Sequence, residues 1–128
     1  MKKVFISVPM KNRTKEDIER SIEKIKNYAK SIIDGEIEFV NTMVEEQPPY
    51  NTKQEAIWYL GKSLEILSTC DYIMSPSGLE SHPGLRKTYM GCVIERMASE
   101  HYGVMVMDYF LWQMCPDIWY EDDLKVVK

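Results

Sequence analysis

Ser77, Gly78, Glu80, His82 and Gly84 crowd into one short stretch of the chain, with Pro76 before them and Pro83 among them. Their chemistry is that of a polar ligand site. A serine hydroxyl and glycine backbone can approach phosphate or sugar hydroxyls, a histidine can act as a general acid or bind phosphate, and a loop glutamate is a candidate acid. The stretch is preceded at residues 71–75 by the β-formers Tyr72 and Ile73. Beyond it, Tyr89, Cys92, Val93 and Met97 recur at helical spacing. Pro83 suits the first position of a helix, where its missing N–H costs nothing. A helix starting just past the end of a strand presents backbone amides and a positive dipole end, which favours ligands with phosphate or hydroxyl groups. The same residues also suit an ordinary β-loop-α connection, since the spacing is neither a P-loop nor a dinucleotide fingerprint.

The elements that must position this loop are legible on either side. Residues 3–8 form a compact apolar run ending at Pro9, the pattern of a central strand covered on both faces. Thr14 followed by Asp17 resembles a capping box, and Ile18, Ile22, Ile25, Ala29, Ile32 and Ile33 then mark the inward face of an amphipathic helix. Asp34 and Gly35 stop it. Residues 36–41 alternate as a second strand, which makes a right-handed parallel unit with the first. Residues 42–51 hold Pro48 and Pro49 and read as a lid. Asn51 or Thr52 can cap a helix with an apolar stripe at Ile57, Leu60, Leu64 and Leu67. Gly61 inside that helix suggests either a close contact or an eased helix crossing. Gly103 closes the last long helix, and residues 104–107 read as a buried strand.

The order of elements predicts an α/β fold with a mostly parallel sheet of four or five strands. With 128 residues, 45% hydrophobic and 28% charged, one domain with a real core is expected: a unit at about 2–107 and an aromatic tail at 108–128. A net charge of −4 and a pI near 5.2 argue against nucleic acid as a partner. Three cysteines without CxxC or CxxH spacing favour neither a disulfide framework nor a zinc site, and suggest a reducing compartment. No apolar run approaches a membrane span, and no signal-peptide core follows Met1, so the expectation is a cytoplasmic protein with no cofactor and no metal. Phe110, Leu111, Trp112, Met114, Ile118 and Trp119 crowd the tail. They predict either packing against the sheet or, as favoured here, a homodimer or larger assembly.

KKVFISVPM at the start, FVNTMVEEQPP and LGKSLEILSTCD in the middle, and DYIMSPSGLESHPGLRKT after them resemble, in order and spacing, the nucleoside 2-deoxyribosyltransferase-like family, including small relatives common in phage genomes. The corresponding family segments read "YISGPM" at the start and "AD...LPGW..S.G...E" in the last block. The resemblance covers about residues 2–106. It implies a flavodoxin-like or Rossmann-like three-layer sandwich with a nucleoside or nucleotide pocket at the carboxyl ends of the strands, and oligomers that complete each site from a neighbour. It also implies a glutamate nucleophile acting on the anomeric carbon, helped by an aspartate on the preceding helix.

Aligned without gaps from Gly78 through Gly84, the nucleophile position falls on Thr88 and the helper position on Ser63. Val8 stands where a glycine usually opens the first loop, His82 stands where a serine often sits, and Arg86 matches the phage relatives. A neutral threonine hydroxyl cannot do a carboxylate's electrostatic work. The expectation is therefore a viral or bacterial protein, of the kind phages encode, that binds a nucleoside, nucleotide or nucleotide-derived molecule without turnover, sequestering or sensing it. Its ligand contacts are expected at Ser7, Pro9, Met10, Ser63, Ser77, Gly78, His82, Gly84, Arg86 and Thr88, with Met10 and Trp58 or Tyr50 against the base. An active N-glycosidase or deoxyribosyltransferase would need a displaced acid, Glu80 or Glu45. Glu95 lies seven residues past Thr88, roughly 10 Å of helical rise, and on that count is too far along the helix. A scaffold or interaction protein is the third reading.

Overall fold

The computed structural model describes residues 1–40 and 44–118. Four strands, β1 (Lys2–Ile6), β2 (Ile37–Phe39), β3 (Tyr72–Ser77) and β4 (Met105–Phe110), form one sheet in the order β2-β1-β3-β4. Every pairing is parallel; Val4 lies opposite both Phe39 and Tyr72, and Tyr72 opposite Met105. Parallel neighbours require crossovers, which α1 (Lys15–Ile32), α2 (Glu55–Leu67) and α4 (Met90–Tyr102) supply. The expected three-layer α/β fold with a parallel sheet is what the chain adopts.

Strand alternation sorts the core into two layers. Val4 and Ile6 of β1 and Met74 of β3 join Ile18, Ile25 and Ala29 of α1 in one cluster, while Phe5 and Ile73 join Leu67 of α2 in the other. α2 and α4 touch each other, as do α1 and the short α5 (Leu111–Met114). The Thr14 hydroxyl accepts the Asp17 amide at 3.1 Å, the predicted cap of α1, an interaction of about 1 kcal/mol.

Departures have local causes. α2 starts at Glu55 with Gln54 rather than Asn51 or Thr52 at its cap. Of its predicted stripe only Leu67 is buried, and Ile57 is 68% exposed, because the first half of the helix overhangs a cleft instead of resting on the sheet. A Cβ built on Gly61 would meet nothing within 4 Å, so neither a close contact nor a tight helix crossing explains it. β2 is shorter than expected, and residues 41–43 of the strand and lid reading lie outside the described residues.

The single helix expected after the glycine loop is three pieces: a 3-10 turn at Leu79–Ser81, α3 (Pro83–Thr88, with Pro83 in its first turn as predicted) and α4, broken at Tyr89 where φ is −110° and ψ 39°. β4 runs on to Phe110, beyond the predicted 107. The tail then turns back. Leu111, Met114, Cys115 and Ile118 are buried in the chain's own core, so these side chains do not need another surface; Phe110 remains 59% exposed. Trp119 and residues 120–128 lie outside the described residues.

Candidate functional site

A cleft of about 390 Å³ opens between α2 and α4 over the carboxyl end of β1. β1 leads away to β2 on one side, while β3 leads to β4 on the other. The cleft therefore sits where the strand order reverses, the usual ligand position in an open α/β sheet. Phe5, Ile6 and Val8 line it from the strand and its exit, Ala56, Tyr59, Leu60 and Ser63 from α2, and Gly91, Cys92 and Glu95 from α4. Pro9, Met10 and Lys11 form one rim, with Thr88 and Tyr89 at the α3–α4 break.

Glu95 is the unusual member. It is 8% exposed, yet it lines the cleft, and its carboxylate oxygen Oε1 accepts the Ser7 hydroxyl at 2.8 Å. Ser7 is itself anchored: its amide donates to the Met74 carbonyl at 2.9 Å, and its carbonyl accepts the buried Tyr109 hydroxyl at 2.6 Å. Burial disfavours the charged carboxylate and pushes Glu95 up to about 7, against the smaller opposing pull of the Ser7 hydrogen bond. The acid is thus divided between its two protonation states near neutral pH. Cys92, one turn earlier on the same helix face, is pushed up to about 12 by burial and by the charge of Glu95, so it is a neutral thiol and no nucleophile. Among the described residues lining the cleft, Glu95 is the only carboxylate and Lys11 the only cation. No group of three or more His, Cys, Asp or Glu that could hold a metal occurs among the described residues. No helix among them is long and apolar enough to cross a membrane.

The raised proton affinity of Glu95 has a consequence for stability. A carboxyl that titrates near 4.5 when unfolded and near 7 when folded stabilises the fold most below pH 4.5. That contribution is lost as pH rises through about 7. The total is roughly 3 kcal/mol at about 1.4 kcal/mol per tenfold change in proton affinity. In Glu95→Gln, unfolding free energy measured by urea titration should therefore fall less between pH 5 and pH 8 than it does in the wild type. Parallel pH profiles for the two proteins would refute the assignment.

Of the ligand contacts expected from sequence, Pro9, Met10, Ser63 and Thr88 line the cleft, and Ser7 stands behind Glu95. The Thr88 hydroxyl is engaged with the Gly84 carbonyl at 2.9 Å, the back-bond typical of a helical threonine. Ser77, Gly78, His82, Gly84 and Arg86 do not line it. The Ser77 hydroxyl donates to the Tyr109 carbonyl at 3.0 Å. Gly78 takes φ 95°, a left-handed value suited to glycine, and a Cβ there would come within 3.0 Å of the Trp112 ring. His82 packs edge-on to Trp112, with ring centroids 4.9 Å apart. The glycine loop is thus roofed by the chain's own C-terminal segment.

Arg86 is exposed on α3. Glu80 is exposed on the 3-10 turn, and Glu45 lines a different cleft with Glu46, Lys62 and Glu65, so neither displaced acid reaches the Glu95 site. Of the lid, Val44 does line the cleft. Tyr50 is wholly exposed, and Tyr59 rather than Trp58 faces the cavity.

Sequence reasoning set Glu95 aside as too distant and missed Tyr59, Tyr89 and Lys11 as lining residues. A signal for Glu95 was present: it follows Cys92 by three residues, which puts it on the inward face already marked by Tyr89, Cys92 and Val93. A lone carboxylate on such a face is a functional candidate. No protein-family model, curated protein or solved structure matches the chain.

Proposed function

We propose that the chain binds a nucleoside or a nucleoside-derived small molecule in the cleft between α2 and α4 and breaks its base-to-sugar bond, with the ionised carboxylate of Glu95 as the nucleophile. The observation that carries this reading is the buried carboxyl of Glu95, held by Ser7 at the wall of an otherwise largely apolar cavity. The cavity size suits a ligand of this class, and Tyr59, Leu60, Tyr89 and Met10 offer flat or soft apolar faces to a ring. Cleavage of an N-glycosidic bond passes through an oxocarbenium-like state, which an ionised carboxylate stabilises and can trap. In that step an oxygen of Glu95 forms a bond to the anomeric carbon while the carbon–nitrogen bond breaks. The electron pair leaves with the base, which takes a proton from water. Water or a second base then attacks the glycosyl ester and releases Glu95.

Binding without turnover is the second reading. It is favoured by one specific feature: Ser63 occupies the place where an assisting aspartate is expected, leaving Glu95 without a second lining carboxylate among the described residues. Incubation with ribo- and deoxyribonucleosides and their 5'-monophosphates, followed by chromatography of free base, separates the two. Base release supports cleavage. An intact nucleoside recovered by mass spectrometry after gentle purification, with no release, supports sequestration. Neither binding nor release across the panel overturns both.

A further inference from the structure

Arg13 lies outside the cleft lining, yet three observations meet there. The first is its environment. Its side chain is 1% exposed, and each guanidinium nitrogen is engaged: Nε and Nη2 form a fork with the two carboxylate oxygens of Asp117 at 2.8 and 2.7 Å, Nη1 donates to the Pro9 carbonyl at 2.7 Å, and Nη2 also donates to the Ser21 hydroxyl at 2.6 Å. The second is the turn that delivers it. Asn12 adopts φ 62°, the left-handed region that few residues other than glycine tolerate and asparagine tolerates best, and the chain reverses there so that Arg13 returns to the carbonyl of Pro9. The third is what the turn carries. Residues 9–11 are the cleft rim, and the Lys11 carbonyl accepts the Tyr89 hydroxyl at 3.0 Å. The rim is therefore tied to the α3–α4 break at one point and to the C-terminal segment at another.

An ion pair with one buried and one partly exposed member, Arg13 at 1% and Asp117 at 27%, is a modest source of stability at most. What a bidentate fork supplies is direction. We propose that Arg13 and Asp117 are a positioning pair for the cleft, through which the segment after α5 fixes the rim at residues 9–11 against the wall that carries Glu95, and so sets how tightly a ring-shaped ligand is held. The identity of that ligand rests on the function proposed above; the restraint on the rim does not.

Asp117→Asn keeps the shape and removes the charged fork, and Arg13→Lys keeps the charge and loses the fork. Both variants are to be compared with wild type by residue-resolved amide exchange, urea unfolding, and steady-state kinetics or binding with whichever nucleoside the wild type accepts. Exchange of the amide of residue 13, which donates to the Met10 carbonyl at 3.3 Å, should accelerate about tenfold or more, beyond any change in the amides of β1 and β3. KM or Kd should rise about tenfold with kcat within a factor of about two. Acceleration that is uniform across the sheet and rim would reduce the pair to a structural one and overturn the proposal, as would a rim and a KM indistinguishable from wild type. If the wild type neither binds nor cleaves any nucleoside, the function proposed above fails while the exchange measurement still decides the pair.

Discussion

Glu95→Gln should lower base release on the order of 10³-fold while leaving nucleoside affinity within a few-fold. Glutamine keeps the volume and can still accept the Ser7 hydroxyl bond, so the cavity wall stays in place. What it lacks is the negative charge that meets positive charge developing at the anomeric carbon, and the oxygen nucleophile that can form a glycosyl ester. A loss confined to kcat and kcat/KM marks an interaction made only in the transition state. The wild-type rate should also rise with pH through about 7, as the buried acid ionises, and the residual rate of the variant should lose that dependence. Thr88→Ala is the control. Its hydroxyl already serves the Gly84 carbonyl, so its removal should cost about one hydrogen bond, roughly 1 kcal/mol, and leave turnover in place. A Gln variant with wild-type turnover would remove Glu95 from the chemistry.

Leu111→Ala should destabilise the fold by about 2–5 kcal/mol, the range for a buried leucine truncated in a core that cannot collapse around the void. Leu111 has no exposed surface and shares a cluster with Tyr109, Met114, Cys115 and Ile118, packed with α1 and the exits of the central strands. The urea midpoint should fall with little change in slope, and by the same amount at 1 and 50 µM protein, two concentrations about fifty-fold apart. A loss below about 1 kcal/mol would place the residue outside the core. A loss that shrinks as protein concentration rises would instead locate Leu111 at a contact between copies. By the same packing, truncation after Met107 should unfold the protein rather than merely separate subunits.

Strand and helix order was legible because each element announced itself locally. Thr14 and Asp17 mark the start of α1, isoleucines at helical spacing mark its inner face, and Pro9, Gly35 and Gly103 mark stops. Pro9, Met10, Ser63 and Thr88 line one cleft because a parallel sheet puts its strand exits and the helices beside them at one end. The glycine-rich stretch stays outside the cleft for a physical reason: loop chemistry at residues 77–84 looks the same whether a ligand or Trp112 packs on it, and Trp112 lies about thirty residues away in sequence. Glu95 was set aside by counting rise along one continuous helix from Thr88. The break at Tyr89 invalidates that count, because α3 is an extra turn and α4 brings its own face to the cavity. The apolar weight of the tail was visible, but the surface it covers was not, since α5 packs against α1, far away in sequence, and Leu111 and Ile118 join the same core cluster.

The hydrogen bonds in and beside the cleft span most of the chain: Ser7 to Glu95 across 88 residues, Tyr109 to Ser7 across 102, and Arg13 to Asp117 across 104. None of them can form until loops of that length have closed, and the entropy of closure must be met before any of these contacts repays it. With a wholly parallel sheet as well, the molecule belongs among the slow, topologically demanding folders rather than those that nucleate on a hairpin. The cleft consequently has no local precursor. Its walls meet only where β1 lies beside β3 and residues 111–118 are seated, so the ligand site is a property of the whole fold and of no part of it.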